Sequence, residues 1–214
     1  MRLMHPPDTD AGLRRVEAAR YALLRRLALA MRDQMVAHLH PIGVATQVME
    51  RRLRHDTPDV GRIGDDMRRL RGFASTAVAV NLDVVTWVSP EPGEQVALGS
   101  GVRECVEMLR GHFGFCGFEL AHGGESTEPV SRHSVRTLVS AVLFALADEA
   151  PAPAGFTLRT DGRQVDVEVT ASTGVVAATL PPYRLLGWDE LQVLAAAEGV
   201  GVTRSGNGAR LRFG

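Results

Sequence analysis

The chain has 214 residues, of which 45% are hydrophobic and 23% charged, so it can bury a core and is neither a disordered tail nor a membrane-spanning chain. Its formal net charge of −1 argues against a nucleic-acid binder, because such proteins carry a positive surplus that displaces counterions from phosphates. All 24 basic residues are arginine. No stretch approaches the roughly 20 apolar residues of a membrane span, so we expect no membrane association and a cytoplasmic location.

The first long segment, from about residue 10 to residue 55, has the periodicity of a helix. A second apolar stripe runs beside the first through Leu29, Val36 and Leu39, and two neighbouring stripes are typical of a bundle helix with more than one partner. Pro41 removes one backbone hydrogen bond and favours a kink. The first stripe recurs at three- and four-residue steps and comprises Tyr21, Leu24, Ala28, Met31, Met35, Ile42, Ala45 and Met49.

A turn at 55–59 precedes a second helix, predicted from about residue 59 to residue 88. Two long helices joined by a short turn form an antiparallel hairpin, which alone leaves a wide apolar surface uncovered. A second copy of the chain would cover that surface, so the sequence predicts a homodimer with a four-helix bundle. The apolar positions of the second helix include Val60, Ile63, Met67, Leu70, Ala74, Ala77, Val78 and Leu82.

The proline- and glycine-rich segment at 89–93 is the best domain boundary. We expect a disordered N-terminus at 1–9, a helical hairpin domain at 10–90 and an α/β domain at 91–214. In the second part the pattern predicts helices at 100–111, 131–149 and 189–198. It predicts strands near 118–121, 156–159, 164–170, 175–180, 200–204 and 209–213. The fold class is therefore α+β, with a long antiparallel helical hairpin followed by a two-layer α/β sandwich.

This order of elements resembles the two-domain core of sensor histidine kinases, a dimerisation domain followed by a Bergerat-type ATP-binding domain. Gly101–Arg110 (GVRECVEMLR) is similar to the helix that opens that ATP-binding domain, and Val135–Ala147 (VRTLVSAVLFALA) is similar to its N-box helix. Thr203–Phe213, which contains a glycine-rich turn, is similar to the closing hairpin. The resemblance covers nearly the whole chain and implies a histidine-kinase-like fold with a degenerate ATPase-type domain.

The residues that would bind nucleotide depart from the family pattern. Ser140 and Phe144 stand where the N box has asparagines, and phenylalanine cannot ligate magnesium, which requires oxygen ligands. The strand end Val169–Gly174 has Ala171 where the family has an adenine-binding aspartate, and Leu180–Tyr183 replaces a glycine-rich lid. We therefore expect no ATP binding, no cofactor and no ATP-dependent kinase activity.

Loss of nucleotide binding with retention of this architecture resembles the histidine phosphotransferases of phosphorelays. These proteins pass a phosphoryl group between response regulators through a histidine on the first helix. The sequence His38-Leu39-His40-Pro41 offers two phosphoacceptor candidates, His40 and His38. The resemblance implies receiver domains of response regulators as partners, while a non-catalytic adaptor and a kinase with drifted boxes are the alternatives.

Helical phase and family spacing give different answers for the two histidines. His38 continues the first apolar stripe, whereas His40 is about 200° away on a polar side that includes Arg26, Asp33 and Gln47, so phase favours His40. The family's phosphoacceptor usually precedes the kink proline by five residues, a position that Val36 occupies here, and a gap of two residues would restore His38. If neither histidine is a phosphoacceptor, His38 is a core histidine and His40 a surface residue.

The other reactive side chains show no site-like spacing. Cys105 and Cys116 lack a CxxC pattern, so we expect free thiols in a reducing compartment and no metal site with His112, His122 or His133. Trp87 and Trp188 are expected to be packing anchors. The arginine runs at 51–54 and 68–71 are either solvated helix faces or contacts for an acidic partner.

Overall fold

The chain folds into two compact units that share one helix. The computed structural model describes residues 7–55, 57, 59–89, 91, 93–150, 152–171 and 184–214. One unit comprises Met1–Ala30 together with Pro92–Gly214, and the other comprises Met31–Glu91. The fold class is α+β, with two long helices followed by a mixed sheet and its helices, as the sequence predicts.

Two long helices make up the first part of the described chain. Helix α1 spans Pro7–Leu53 and continues through Pro41, so it begins three residues earlier than the periodicity predicts. Helix α2 spans Val60–Val88 and is capped by Asp59, whose carboxylate accepts the backbone N–H of Arg62 at 3.1 Å. This cap satisfies one of the amide groups left free in the first turn of a helix.

The turn joins α1 to α2 as a helical hairpin, in which an ion pair between Arg52 and Asp66 connects the two helices. Few apolar side chains of residues 31–91 are fully buried, namely Met31, Ala77, Val84 and Trp87. Large exposed hydrophobic side chains are more numerous: Val36, Leu39, Val44, Val48, Leu53, Val60, Met67, Phe73, Val78, Leu82, Val85 and Val88.

The early part of α1 buries a different stripe from the one that its periodicity indicates. Tyr21 is 57% exposed and Leu24 is 39% exposed, although both belong to the predicted apolar stripe. The buried positions are Ala19, Ala22, Leu23, Leu27, Ala30 and Met31, and of these Met31 alone belongs to the predicted stripe. Small alanines on this side let a neighbouring element approach closely, so hydrophobicity alone does not identify the packed face.

The α/β domain contains three helices and two sheets. Its elements in chain order are β1 Gln95–Ala97, α3 Leu98–Phe115, β2 Phe118–Gly123, β3 Pro129–Ser131, α4 Arg132–Glu149, β4 Ala154–Asp161, β5 Gln164–Ala171, α5 Trp188–Glu198, β6 Gly201–Ser205 and β7 Gly208–Arg212. The larger sheet has the order β2-β4-β5-β7-β6, in which β2 and β4 are parallel and the other neighbours antiparallel. Strands β1 and β3 form a separate antiparallel pair.

One face of the larger sheet packs against the helices and the other faces solvent. In β4 the alternate residues Phe156 and Leu158 are buried while Arg159 is exposed, and β7 shows the same alternation. Helix α4 is buried continuously from Ser134 to Leu146, so it lies in the middle of the domain core. This two-layer arrangement matches the sandwich that the sequence predicts.

The predicted strand at 175–180 lies outside the described residues, as do positions 172–174 and the segment 180–183. Within the part of the chain that the structure describes, no helix is long and apolar enough to cross a membrane.

Candidate functional site

His40 lies on an exposed part of α1 that is surrounded by small side chains. Its helical neighbours at three and four positions are Val36, Ala37, Gly43 and Val44, all of them exposed. Val36 is 57% exposed and Val44 is 46% exposed, and Gly43 has open space where a side chain would be. Another protein can therefore approach the His40 ring closely without moving the helix.

The imidazole of His40 has no hydrogen bond or ion pair to any residue that the structure describes. Its surroundings differ from the polar side expected from helical phase, because the nearest neighbours are small and apolar. Arg26, expected on the same side, is instead largely buried against the α/β domain, with 11% of its side chain exposed.

His38 is half-buried and its ring is fixed by the backbone of its own helix. Its Nδ1 lies 2.9 Å from the carbonyl oxygen of Gln34, one turn earlier, and a carbonyl can only accept, so Nδ1 carries the proton. Met35, Ile42 and Ala45 are half-buried on the same side of the helix. His38 therefore resembles a packed histidine with a satisfied donor.

A neutral imidazole can act as a nucleophile, a proton carrier or a metal ligand. No group of three or more histidine, cysteine, aspartate or glutamate side chains converges among the described residues. His40 thus stands as a single exposed nucleophile on a long helix, with His38 on the opposite side.

The helix α4 positions that the resemblance relates to nucleotide binding are packed in the core. Phe144 is 1% exposed, and its ring lies 5.4 Å from the ring of Phe113. Ser140 is 0% exposed. A side chain that is enclosed by other side chains cannot reach a solvent-borne nucleotide.

Arg26 of α1 also packs against Phe144. Its guanidinium carbon lies 4.8 Å from the centre of the Phe144 ring, a cation–π distance. The same guanidinium donates to both carboxylate oxygens of Asp148, at 2.7 and 2.8 Å, and to the carbonyl oxygen of Arg184 at 3.2 Å. Asp148 also accepts the backbone N–H of Leu186 at 2.9 Å. Sequence reasoning missed this network because Arg26 and Asp148 are 122 positions apart.

A second carboxylate joins α1, α4 and α5. Glu198 accepts from Ser134 Oγ at 2.9 Å and from Arg20 at 3.1 Å, and it lies 3.4 Å from Nε2 of His133. The hydrogen bond with His133, supported by those from Ser134 and Arg20, lowers the pKa of Glu198 to about 2. Glu198 binds Arg20 and Asp148 binds Arg26, so these two carboxylates connect the early part of α1 to the helices of the α/β domain.

The thiol of Cys105 lies in the core of the α/β domain. Cys105 is fully buried, and burial raises the pKa of its thiol to about 12, so it is not a thiolate at neutral pH. His112 packs edge-on to Phe113 and Phe144, with ring centroids 6.3 Å apart in each case. Cys105 and His112 therefore belong to the packing of the domain.

The arginine runs divide into paired and unpaired side chains. Arg52 pairs with Asp66 and Arg68 pairs with Asp65. Arg51 and Arg54 are exposed and have no partner among the residues that the structure describes. Of the two tryptophans, Trp87 is buried, and Arg204 lies 4.1 Å over the ring of the half-buried Trp188.

Comparisons with known proteins show that this chain is similar to several solved structures but matches no family by sequence. No protein-family model matches the sequence, and no curated protein matches it. The chain is similar to the cytoplasmic segment of histidine kinase QseC, with 12% identity over 62% of this chain and 89% of that one and a TM-score of 0.42. It is also similar to the Acinetobacter baumannii histidine kinase AdeS, with 14% identity over 81% of this chain and 96% of that one and a TM-score of 0.35.

A third similar structure is histidine kinase ThkA in complex with the response regulator protein TrrA. The identity is 14%, the coverage is 88% of this chain and 63% of that one, and the TM-score is 0.38. Similarities with identities this low and TM-scores below 0.5 do not by themselves assign an activity to this chain.

Proposed function

We propose that this protein is a two-component signalling protein that docks receiver domains on a dimeric helical hairpin and relays phosphoryl groups through His40 without binding ATP. The observation that carries this proposal is the exposed, unpartnered imidazole of His40 among small neighbours. Transfer from a protein requires the donor's aspartyl phosphate to reach a ring nitrogen in line, which a packed histidine does not allow.

The transfer needs no cofactor. A lone pair on a ring nitrogen of neutral His40 attacks the phosphorus, and the bond between phosphorus and the aspartate oxygen breaks. The aspartate leaves as a carboxylate, and the phosphorylated imidazole retains its other N–H. Atoms and charge balance without any other reactant, and the reverse step returns the phosphoryl group to a second receiver.

The exposed face of α2 supports the dimer. Val60, Met67, Val78, Leu82 and Val85 lie within about 60° of one another around the helix and are each more than half exposed. Residues 31–91 bury few apolar side chains of their own, so this stripe needs a covering surface. A second copy supplies the same stripe and makes the contact symmetric.

The packing of α4 supports the absence of nucleotide binding. Phe144 is buried and packs against both the Phe113 ring and the Arg26 guanidinium. We expect millimolar ATP with magnesium to leave the melting temperature unchanged, because only a bound ligand stabilises the fold. A rise of several degrees would show that nucleotide binds.

The test of phosphotransfer uses a panel of receiver domains labelled on aspartate. We expect at least one receiver to label the unmodified protein, the variant His40→Gln to accept no label, and the matched control His38→Gln to accept it. Acid-labile label in His40→Gln but not in a folded His38→Gln would assign the role to His38. Receiver binding without label in the unmodified protein would favour the adaptor, and no receiver binding at all would contradict the proposal.

A further inference from the structure

The face of α1 that carries His40 continues to the hairpin turn and ends in two arginines. Arg51 follows His40 by eleven residues and Arg54 by fourteen, which places them about 20° and 40° from His40 around the helix. The backbone N–H of Arg54 donates to the carbonyl oxygen of Glu50 at 3.2 Å, so the helical spacing extends to this residue. Along the axis, the two arginines lie about 16 and 21 Å from His40.

These arginines differ from most of their neighbours in the hairpin because they have no acidic partner among the residues that the structure describes. Arg52, Arg62 and Arg68 are paired with Asp66, Asp59 and Asp65, respectively.

On the other side of His40, the charges of this face cancel, because Arg32 and Asp33 form an ion pair at 2.9 Å. The exposed Glu50 lies about 80° around the helix from His40, away from the centre of the face. Within residues 26–54 of this face, the unpaired arginines that the structure describes therefore lie towards the hairpin turn.

We propose that Arg51 and Arg54 are docking residues that select partners by an acidic patch about 16 to 21 Å from the phosphorylated aspartate. This inference rests on the proposed function of His40. A guanidinium binds a carboxylate through two parallel hydrogen bonds, and exposed charges of opposite sign speed the encounter of two proteins. The apolar neighbours Val36 and Val44 provide contact area, and the arginines provide the preference among receivers.

The experiment uses the whole chain and the receiver domain that labels it fastest in the panel. We expect Arg51→Glu with Arg54→Glu to lower the second-order rate of label transfer at 0.1 M salt by about tenfold or more. The loss should shrink at 0.5 M salt, because salt screens exposed charges. The matched control Arg69→Glu changes an exposed arginine of α2 that also has no partner among the described residues, and should transfer label at the unmodified rate.

A charge-reversed receiver completes the test. In this variant, lysine replaces the receiver's acidic residues that lie about 16 to 21 Å from its phosphorylated aspartate. The change should restore transfer to the double variant and slow transfer to the unmodified protein. Equal rates for the unmodified protein and the double variant, with label still on His40, would overturn this inference and leave the proposed function standing. Failure of every receiver to bind or label the unmodified protein would overturn both.

Discussion

Arg26 and Asp148 form the most enclosed ion pair described in this protein. The side chains are 11% and 8% exposed, and both carboxylate oxygens accept hydrogen bonds from the guanidinium. The Arg26 guanidinium also packs on the Phe144 ring, and the Asp148 carboxylate also accepts the backbone N–H of Leu186. A buried pair with this many partners fixes geometry, and removal of one member leaves an uncompensated charge.

We therefore expect Asp148→Asn to lower the free energy of unfolding by about 3 to 5 kcal/mol. The matched control Asp65→Asn breaks an exposed pair with Arg68 and should cost about 1 kcal/mol or less. Urea unfolding followed by circular dichroism measures both values. Equal losses in the two variants would show that burial does not set the strength of the Arg26 pair.

Glu198 predicts how stability changes with pH. Its hydrogen bonds lower its folded pKa to about 2, while the unfolded value is close to the ordinary 4.5. Stability from this carboxylate is therefore present above pH 4.5 and is lost as the pH falls towards 2. Glu198→Gln removes the charge and should cost about 2 kcal/mol at pH 6, with the difference from the unmodified protein narrowing between pH 5 and pH 3.

Unfolding at several pH values checks this prediction for Glu198. A difference between the unmodified protein and Glu198→Gln that stays constant from pH 6 to pH 3 would contradict the proposed cause.

At the scale of elements, the strands β5 and β7 pair so closely that only glycine fits at one position. A Cβ at Gly208 would overlap the carbonyl oxygen of Val167 on the neighbouring strand. We expect Gly208→Ala to separate the two strands locally and to cost about 2 kcal/mol or more. The matched control Gly206→Ala changes the turn, where no atom lies within 4 Å but φ is +58°, and should cost about 1 kcal/mol.

Thermal or urea unfolding of the two glycine variants gives the comparison. A loss in Gly206→Ala that exceeds the loss in Gly208→Ala would mean that backbone conformation, and not the approach of β5, limits this hairpin.

The elements that the sequence predicts well are those with a long, regular pattern. Helices α1 and α2 and the strands β4, β5 and β7 agree with their predictions within a few residues. Strands β1 and β3 were not predicted, because three residues are too few for an alternation to be distinguished from a loop. The packed face of early α1 was predicted wrongly, because buried alanines do not stand out from exposed ones.

At the scale of the whole molecule, the exposed apolar stripe of α2 predicts that one charged side chain introduced into it will prevent dimerisation. Leu82 is 64% exposed in one chain, so Leu82→Glu should leave the chain folded while placing a charge in the dimer contact. We expect sedimentation to show a dimer of 23.1 kDa chains for the unmodified protein and a monomer for the variant. A monomeric unmodified protein would contradict the dimer, and a dimeric variant would place the contact elsewhere.

The candidate site shows where sequence reasoning ends. Helical phase predicts that His38 and His40 lie on different sides of α1, because that separation follows from the pitch alone. The small neighbours of His40 are also readable from the sequence. The positions of Arg26 and Glu198 are not, because their partners come from other elements, at least 64 residues away along the chain.

All cations on side chains other than histidine are guanidinium groups, and this gives the protein an unequal response to acid and alkali. A lysine ammonium ordinarily loses its proton near pH 10, whereas a guanidinium stays charged in any ordinary buffer. A rise in pH therefore does not break the ion pairs Arg26–Asp148 and Arg20–Glu198, which connect α1 to α4 and α5. Of the two groups in each pair, it is the carboxylate that can be neutralised, and that requires acid. The fastening should persist in alkaline buffers and loosen only in acid.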